Sequence, residues 1–167
     1  EGFARDPALV WEWYNERRRA MREARPNAAH RTLARWDERF SDFLIATQNI
    51  DGLHQRGGAR RVVELHGSIW RARCTKTGKL FRIDEEVDVE STLPPPSPAG
   101  GGAILRPDIV WFGETLPPQA VAQVERFFDE KRFQIAFVIG TSAAIGYIQV
   151  WIYTLARAGV FVVEVNP

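Results

Sequence analysis

A chain of 167 residues with 45% hydrophobic side chains is the size of one ordinary domain, or of one domain with a small insert, and should fold around a core. Its 22 Lys and Arg against 21 Asp and Glu leave a net charge of +1, which gives no strong field for nucleic acid or an anionic membrane. One cysteine excludes an intrachain disulfide and a zinc site built from several thiolates. No apolar run is long enough to span a bilayer, and Glu1 to Asp6 is not a signal peptide, which fits a cytoplasmic location. The chain lacks a starting Met, as a fragment would. Only Lys76, Lys79 and Lys131 are lysine, a bias that reflects genome composition or thermal adaptation and not function.

In chain order, Asp6-Pro7 starts a helix, with Leu9, Val10, Trp13, Tyr14 and Met21 on or near one face. Asn27 caps a second, short helix over 28–38, with Leu33 and Trp36 facing inward. Residues 43–46 read as a buried strand, and 47–58 as a polar, Gly-punctuated loop with room for one helical turn. Strands follow at 62–64, 68–74 and 80–83, the last two joined by the turn Lys76-Thr77-Gly78-Lys79. Asp84 to Glu90 is acidic. Pro94 to Gly102 is a loop without core-forming residues, and 104–112 is extended. A helix over 117–131, a buried strand over 134–139, a Gly-Thr-Ser turn, a helix over 148–158 and a buried strand over 160–165 make a βαβ unit, the building block of parallel sheets.

Four clusters carry possible chemistry. Gly140-Thr141-Ser142 ends a strand where α/β sheets bind ligands, and Asn166 ends the next strand on the same edge. Gly permits close backbone approach and the hydroxyls suit ribose or phosphate, although the same residues also make a plain turn. Thr47-Gln48-Asn49-Ile50-Asp51 gathers polar side chains at another strand end, equally readable as a capped loop. His66 lies between two short strands and has a side chain suited to general base catalysis, but composition does not favour it over His30 or His54. Tyr14 and Arg17 share a helical face and can clamp a carboxylate, or be an ordinary surface pair.

TQNIDGLHQRGG (47–58), ELHGS (64–68), RPDIVWFGE (106–114), GTS (140–142) and VVEVNP (162–167) together resemble the sirtuins, NAD-dependent protein deacylases, in order and over nearly the whole chain. The resemblance implies an α/β fold: a Rossmann-like parallel sheet with a small inserted helical and zinc-ribbon-like module. Residues 1–40 would be the helical part of the small domain, 41–67 and 104–167 the NAD-binding domain, and 68–103 the zinc-module-like insert. NAD and an acyl-lysine protein or peptide would meet in the cleft between large domain and module, with no nucleic acid or membrane partner.

In that family the acyl oxygen attacks C1′ of the nicotinamide ribose and nicotinamide leaves. The resemblance makes His66 the base that takes a proton from a ribose hydroxyl, with Asn49 and Asp51 also catalytic. Free lysine and O-acyl-ADP-ribose result. Gln48, Asn49 and Asp51 match residues around the ribose and nicotinamide. Gly140, Thr141 and Ser142 match phosphate and ribose contacts, and Asn166 the adenosine ribose contact. Val110, Trp111, Phe112, Gly113 and Glu114 match the edge that pairs with the substrate peptide. Tyr14 and Arg17 look like the Tyr-x-x-Arg of the class III members, which remove succinyl and malonyl groups, and acetyl is kept as a third substrate.

Two departures matter. The family's module carries two C-x₂-C pairs that bind zinc, whereas the corresponding positions here are Cys74, Thr77, Ser97 and Gly100. No metal is expected. The family's opening strand and its Gly-Ala-Gly-x-Ser phosphate loop are also absent from the 167 residues, so these residues alone are expected to bind NAD weakly or not at all. Two other readings stand beside the deacylase: a protein mono-ADP-ribosyltransferase, and a catalytically weak acyl-lysine binder.

Overall fold

Asp6 separates two helices, α1 (Gly2–Arg5) and α2 (Pro7–Glu23). Its carboxylate accepts from the Leu9 N–H at 3.0 Å, and Pro7 fills a first-turn position that needs no donor. This is seen in a computed structural model, which describes residues 2–141 and 146–166. The face of α2 that turns inward is Trp11, Tyr14, Asn15 and Arg18. Leu9 and Trp13, which fall on or near the apolar face read from the sequence, are 59% and 47% exposed. Polar satisfaction decides the rotation. The Trp11 indole donates to the Leu105 carbonyl at 2.8 Å, and the Asn15 amide donates to the Val89 carbonyl at 2.7 Å. Arg18 is fully buried, donates to Asn15 and faces Glu90 at 3.9 Å.

Helix α3 (Ala28–Arg39) starts in a reciprocal cap. The Asn27 side chain accepts from the His30 N–H at 3.1 Å, and His30 Nδ1 accepts from the Asn27 N–H at 3.3 Å. Ala34 and Asp37 are its buried residues, with Leu33 and Trp36 half-buried at the flank. Burial alone would raise the Asp37 pKa. The backbone N–H groups of Arg60 and Arg61 and the Arg61 guanidinium outweigh it and hold the carboxyl below its usual value.

Strand β1 (Ile45–Thr47) pairs in parallel with β2 (Val62–Glu64), and the crossover holds the one-turn helix α4 (Leu53–Arg56). Chain direction then reverses. Strand β3 (Gly67–Cys74) runs antiparallel to both β4 (Leu80–Arg82) and β5 (Leu105–Ile109), in the order β4-β3-β5. Helix α5 (Pro118–Glu130) leads to β6 (Ile135–Ile139), α6 (Gly146–Arg157) and β7 (Phe161–Val165), and β6 and β7 pair in parallel. The architecture is thus α/β, with parallel βαβ pairs and an antiparallel three-stranded sheet between them in the chain.

Two readings of burial change. Pro94 to Gly102 does contribute to a core, because Pro95 and Ser97 are buried. The run folds back on β5's approach, with the Ser97 N–H on Ala103 O at 2.8 Å and the Leu105 N–H on Pro95 O at 2.8 Å. Strands β6 and β7 were expected to be buried, yet Ile135, Phe137, Ile139 and Phe161 are exposed. Among the described residues these two strands pair only with each other, so the outer edge of each is unpaired and part of each face lacks cover.

The largest apolar cluster joins Trp11 of α2 to Ala72, Cys74, Phe81, Ile83, Val89, Ala103 and Leu105. A second unites Tyr14, Ile69 and Ile109, with Ile50, Trp70 and Trp111 beside them. A third holds Val63, Leu65 and Val124 against Tyr147 and Trp151. These clusters hold the strand ends described next.

Candidate active site

The parallel register sets Thr47 opposite Glu64, so Gln48-Asn49 and Leu65-His66 leave the sheet side by side. The Thr47 carbonyl accepts from the Leu65 N–H at 2.9 Å and keeps the two chains together to the last residue. Gly67 then turns the chain with a φ of +80°. This position requires glycine, since a Cβ would lie 1.9 Å from the Asp108 carbonyl oxygen. The close approach brings β5 against the corner, where His66 O accepts from the Val110 N–H at 3.0 Å.

His66 Nδ1 lies 3.1 Å from the Gln48 carbonyl oxygen. A carbonyl only accepts, so Nδ1 carries the hydrogen and Nε2 carries the lone pair. Burial pushes the imidazole pKa down, and the bond to Gln48 opposes this only in part. A neutral imidazole with its Nε2 lone pair directed is the form that can act as a general base. Nε2 is 3.0 Å from the Tyr147 hydroxyl. The Gln48 amide donates to that same hydroxyl at 2.8 Å, and its oxygen accepts from Thr141 Oγ1 at 3.1 Å.

Three of the residues singled out in the sequence, Gln48, His66 and Thr141, therefore meet in one hydrogen-bonded group, together with Tyr147. Asn49 is exposed on the same turn, with its N–H on Thr47 Oγ1 at 3.1 Å. Asp51 is half-buried. Its carboxylate accepts from the Leu53 N–H at 2.8 Å, and its carbonyl accepts from the Trp70 indole at 2.7 Å. Gly140 takes a φ of +64° and donates its N–H to Val165 O at 3.0 Å. The Asn166 amide donates to Thr141 O at 2.9 Å, so the ends of β6 and β7 are tied together. Ser142 lies outside the described residues.

A cavity of about 490 Å³ opens beside α2, lined by Phe3, Leu9, Val10, Trp13, Tyr14 and Trp111. Tyr14 is buried and accepts from the Trp111 indole at 2.8 Å; burial raises its pKa. Arg17 is exposed, with its guanidinium 3.8 Å from the Trp13 ring centroid. Extended structure ends at Ile109, short of the expected residue 112. The Glu114 carboxylate caps the Trp111 N–H at 3.0 Å, Gly113 takes a φ of +86°, and Phe112 stands fully exposed at the tip of this turn.

Sequence reasoning missed the groups that brace these segments. Asp108 is buried and receives Arg71 Nε at 2.9 Å and Arg73 Nε at 3.0 Å. Arg71 also reaches Glu64 at 2.6 Å, directly before the His66 corner. Arg106 grips Glu114 with two bonds of 2.7 and 2.9 Å and lies 3.7 Å from the Trp111 ring centroid. Arg71 and Arg73 sit two apart on one strand, hence on one face, and Asp108 is the acid of the RPDIV segment. That pairing was the available signal. Tyr147 had no such signal, since nothing local links a helix-start tyrosine to a histidine 81 positions earlier.

The zinc that the family's module carries does not fit this chain. Cys74 is the single thiol, the side chains of Ser97 and Thr77 hydrogen-bond to it, and Gly100 has no side chain. Those hydrogen bonds hold the thiol down at about 6. Among the described residues no three His, Cys, Asp or Glu side chains gather where they could share a metal ion.

The model of the Sir2 family matches residues 1–146. The chain belongs to the Sir2 family. An NAD-dependent protein deacylase from Caldanaerobacter subterraneus is 44% identical over 99% of this chain and 66% of its own length. One from Aeropyrum pernix is 44% identical over the whole chain and 66% of its own length. A crystal structure of a Sir2 homologue in complex with NAD superimposes with a TM-score of 0.87 at 34% identity, over 99% of this chain and 62% of that one. A Sir2 protein bound to an acetylated peptide gives 0.85 at 31% identity, over 98% of this chain and 68% of that one. The chain thus spans about two thirds of the length of these Sir2 relatives. Among its described residues no helix is long and apolar enough to cross a membrane.

Proposed function

We propose that this protein removes acyl groups from protein lysines with consumption of NAD, and that succinyl, malonyl and acetyl groups are its substrates. The observation that carries the reading is His66, neutral by burial, with Nδ1 tied to Gln48 O and the Nε2 lone pair directed at a hydroxyl. The names and bound ligands of the Sir2 relatives support it.

NAD supplies an electrophilic ribose carbon and nicotinamide as leaving group. The chain's residues do the rest. His66 Nε2 accepts a proton from a ribose hydroxyl, which makes that oxygen the nucleophile toward the acyl carbon. The Gln48 carbonyl stabilises the resulting imidazolium through Nδ1–H. Gln48 and Asn49 orient the ribose and nicotinamide, and Asp51 holds the turn that carries them, through its bond to Leu53. Gly140, Thr141 and Asn166 contribute the sheet edge for the nucleotide, with Ser142 beside them in sequence. The backbone of Val110 to Glu114, with Arg106 bracing its turn, receives the substrate peptide. In this reading 1–40 and 68–103 form the small module against a nucleotide domain of 41–67 and 104–167.

The acyl chain enters the cavity beside Tyr14, and Arg17, stacked on the cavity-lining Trp13, takes a terminal carboxylate. A charge-assisted bond of this kind is worth roughly 1.5–3 kcal/mol. Mass spectrometry of an acyl-lysine peptide incubated with the protein and NAD tests the reading. Formation of O-acyl-ADP-ribose supports it. ADP-ribosylated protein with an unchanged peptide would replace it with an ADP-ribosyltransferase, and no product at all with an acyl-lysine binder.

A further inference from the structure

We propose that Tyr147 is a built-in stand-in for the substrate hydroxyl: its phenol fills the Nε2 acceptor position of His66 in the ligand-free protein and has to leave before a ribose hydroxyl can enter. The inference rests on the assignment of His66 as base given above, and it concerns a residue that no family motif in the chain contains.

The hydrogen-bond arithmetic leaves little choice. Nδ1 is committed to the Gln48 carbonyl at 3.1 Å, so Nε2 has one lone pair and accepts one hydrogen. The Tyr147 oxygen sits 3.0 Å from Nε2. Burial raises its pKa, so the phenol keeps its proton and donates it. A ribose O–H that delivers its proton to Nε2 needs the same lone pair. The two hydroxyls are mutually exclusive.

Gln48 shows the same substitution from the other side. Its amide donates to the Tyr147 oxygen at 2.8 Å, so the phenol is held by one acceptor and one donor, as an alcohol of the substrate would be. The contacts on the imidazole come from the end of β1 through Gln48 and from α6 through Tyr147, while the His66 carbonyl is held by β5 through the Val110 N–H. Tyr147 lies on the first turn of α6, and its ring meets Trp151 edge-on at 5.2 Å between centroids. The ring is thus held on its apolar side, and its hydroxyl is the part that touches the site.

Tyr147→Phe removes that oxygen and keeps the ring. In the ligand-free full chain, the His66 imidazole titration followed by NMR of its ring carbons should move to higher pH, because a bond to the neutral form is lost. Calorimetric NAD affinity should tighten by about twofold to tenfold, the size of one hydrogen bond no longer displaced. Tyr147→Leu, lacking the same hydroxyl, should move the titration and the affinity in the same directions. An unmoved His66 titration, or an NAD affinity that is unchanged or weaker, overturns the proposal. If the wild-type protein forms no deacylated peptide, the deacylase reading fails on its own, while the titration and the affinity still decide the role of Tyr147.

Discussion

The backbone of Gly67 passes so near Asp108 that an added Cβ would fall 1.9 Å from the Asp108 carbonyl oxygen. This contact sets where β3 leaves the His66 corner and where β5 returns to it. Gly67 also sits at a φ of +80°, which a side chain strains whatever the space. Gly67→Ala should therefore lower unfolding free energy by about 2–4 kcal/mol in urea titration. A loss below about 0.5 kcal/mol would mean that β5 can retreat at no cost.

The pH dependence follows from His66. Its folded pKa lies below the ordinary 6.5 because burial disfavours the cation. Activity needs the neutral ring, so kcat/KM should fall on acidification with a midpoint at the folded value, below 6.5. Stability has the same sign. The unfolded chain takes up the proton first, so this group costs nothing above its unfolded pKa and stability is lost as pH falls through the window down to the folded value. His66→Ala should lower kcat/KM by about 10²–10⁴ and abolish that limb. An acidic limb with a midpoint above 6.5 would contradict the account.

The proposed acyl preference rests on Arg17, whose guanidinium lies 3.8 Å from the Trp13 ring centroid. Arg17→Met should reduce desuccinylation about tenfold or more relative to deacetylation, measured on paired peptides of one sequence. Equal losses on both peptides would remove Arg17 from the acyl site.

The module that carries zinc in the family should hold none here. Its stability comes from the cluster around Trp11, Phe81, Val89 and Leu105, with Cys74 buried in it and hydrogen-bonded by Ser97 and Thr77. Elemental analysis should find no stoichiometric zinc, and a chelator should leave Tm unchanged. Trp11→Ala should cost about 3–5 kcal/mol. Zinc at one equivalent per chain would refute the first expectation.

The helices and strands were legible because their signals are local: Asp6-Pro7 and Asn27 as caps, Lys76-Thr77-Gly78-Lys79 as a turn, apolar runs at strand spacing. The inward face of α2 was not, because Trp11 is buried by a bond to Leu105 O, 94 residues away. The exposure of β6 was missed for the same reason, since an apolar run reports what a strand prefers and not what lies against it. At the site, the motifs marked His66, Gln48 and Thr141. The braces Asp108 and Arg106 and the phenol of Tyr147 act only across the fold, so spacing alone could not mark them.

The most direct test incubates an acyl-lysine peptide with NAD and the wild-type or His66→Ala full-length protein, and quantifies nicotinamide and deacylated peptide together. The account predicts equal amounts of both from the wild type, none without NAD, and a loss of deacylated peptide in the variant. Deacylation that proceeds without NAD, or at an unchanged rate in His66→Ala, would contradict it.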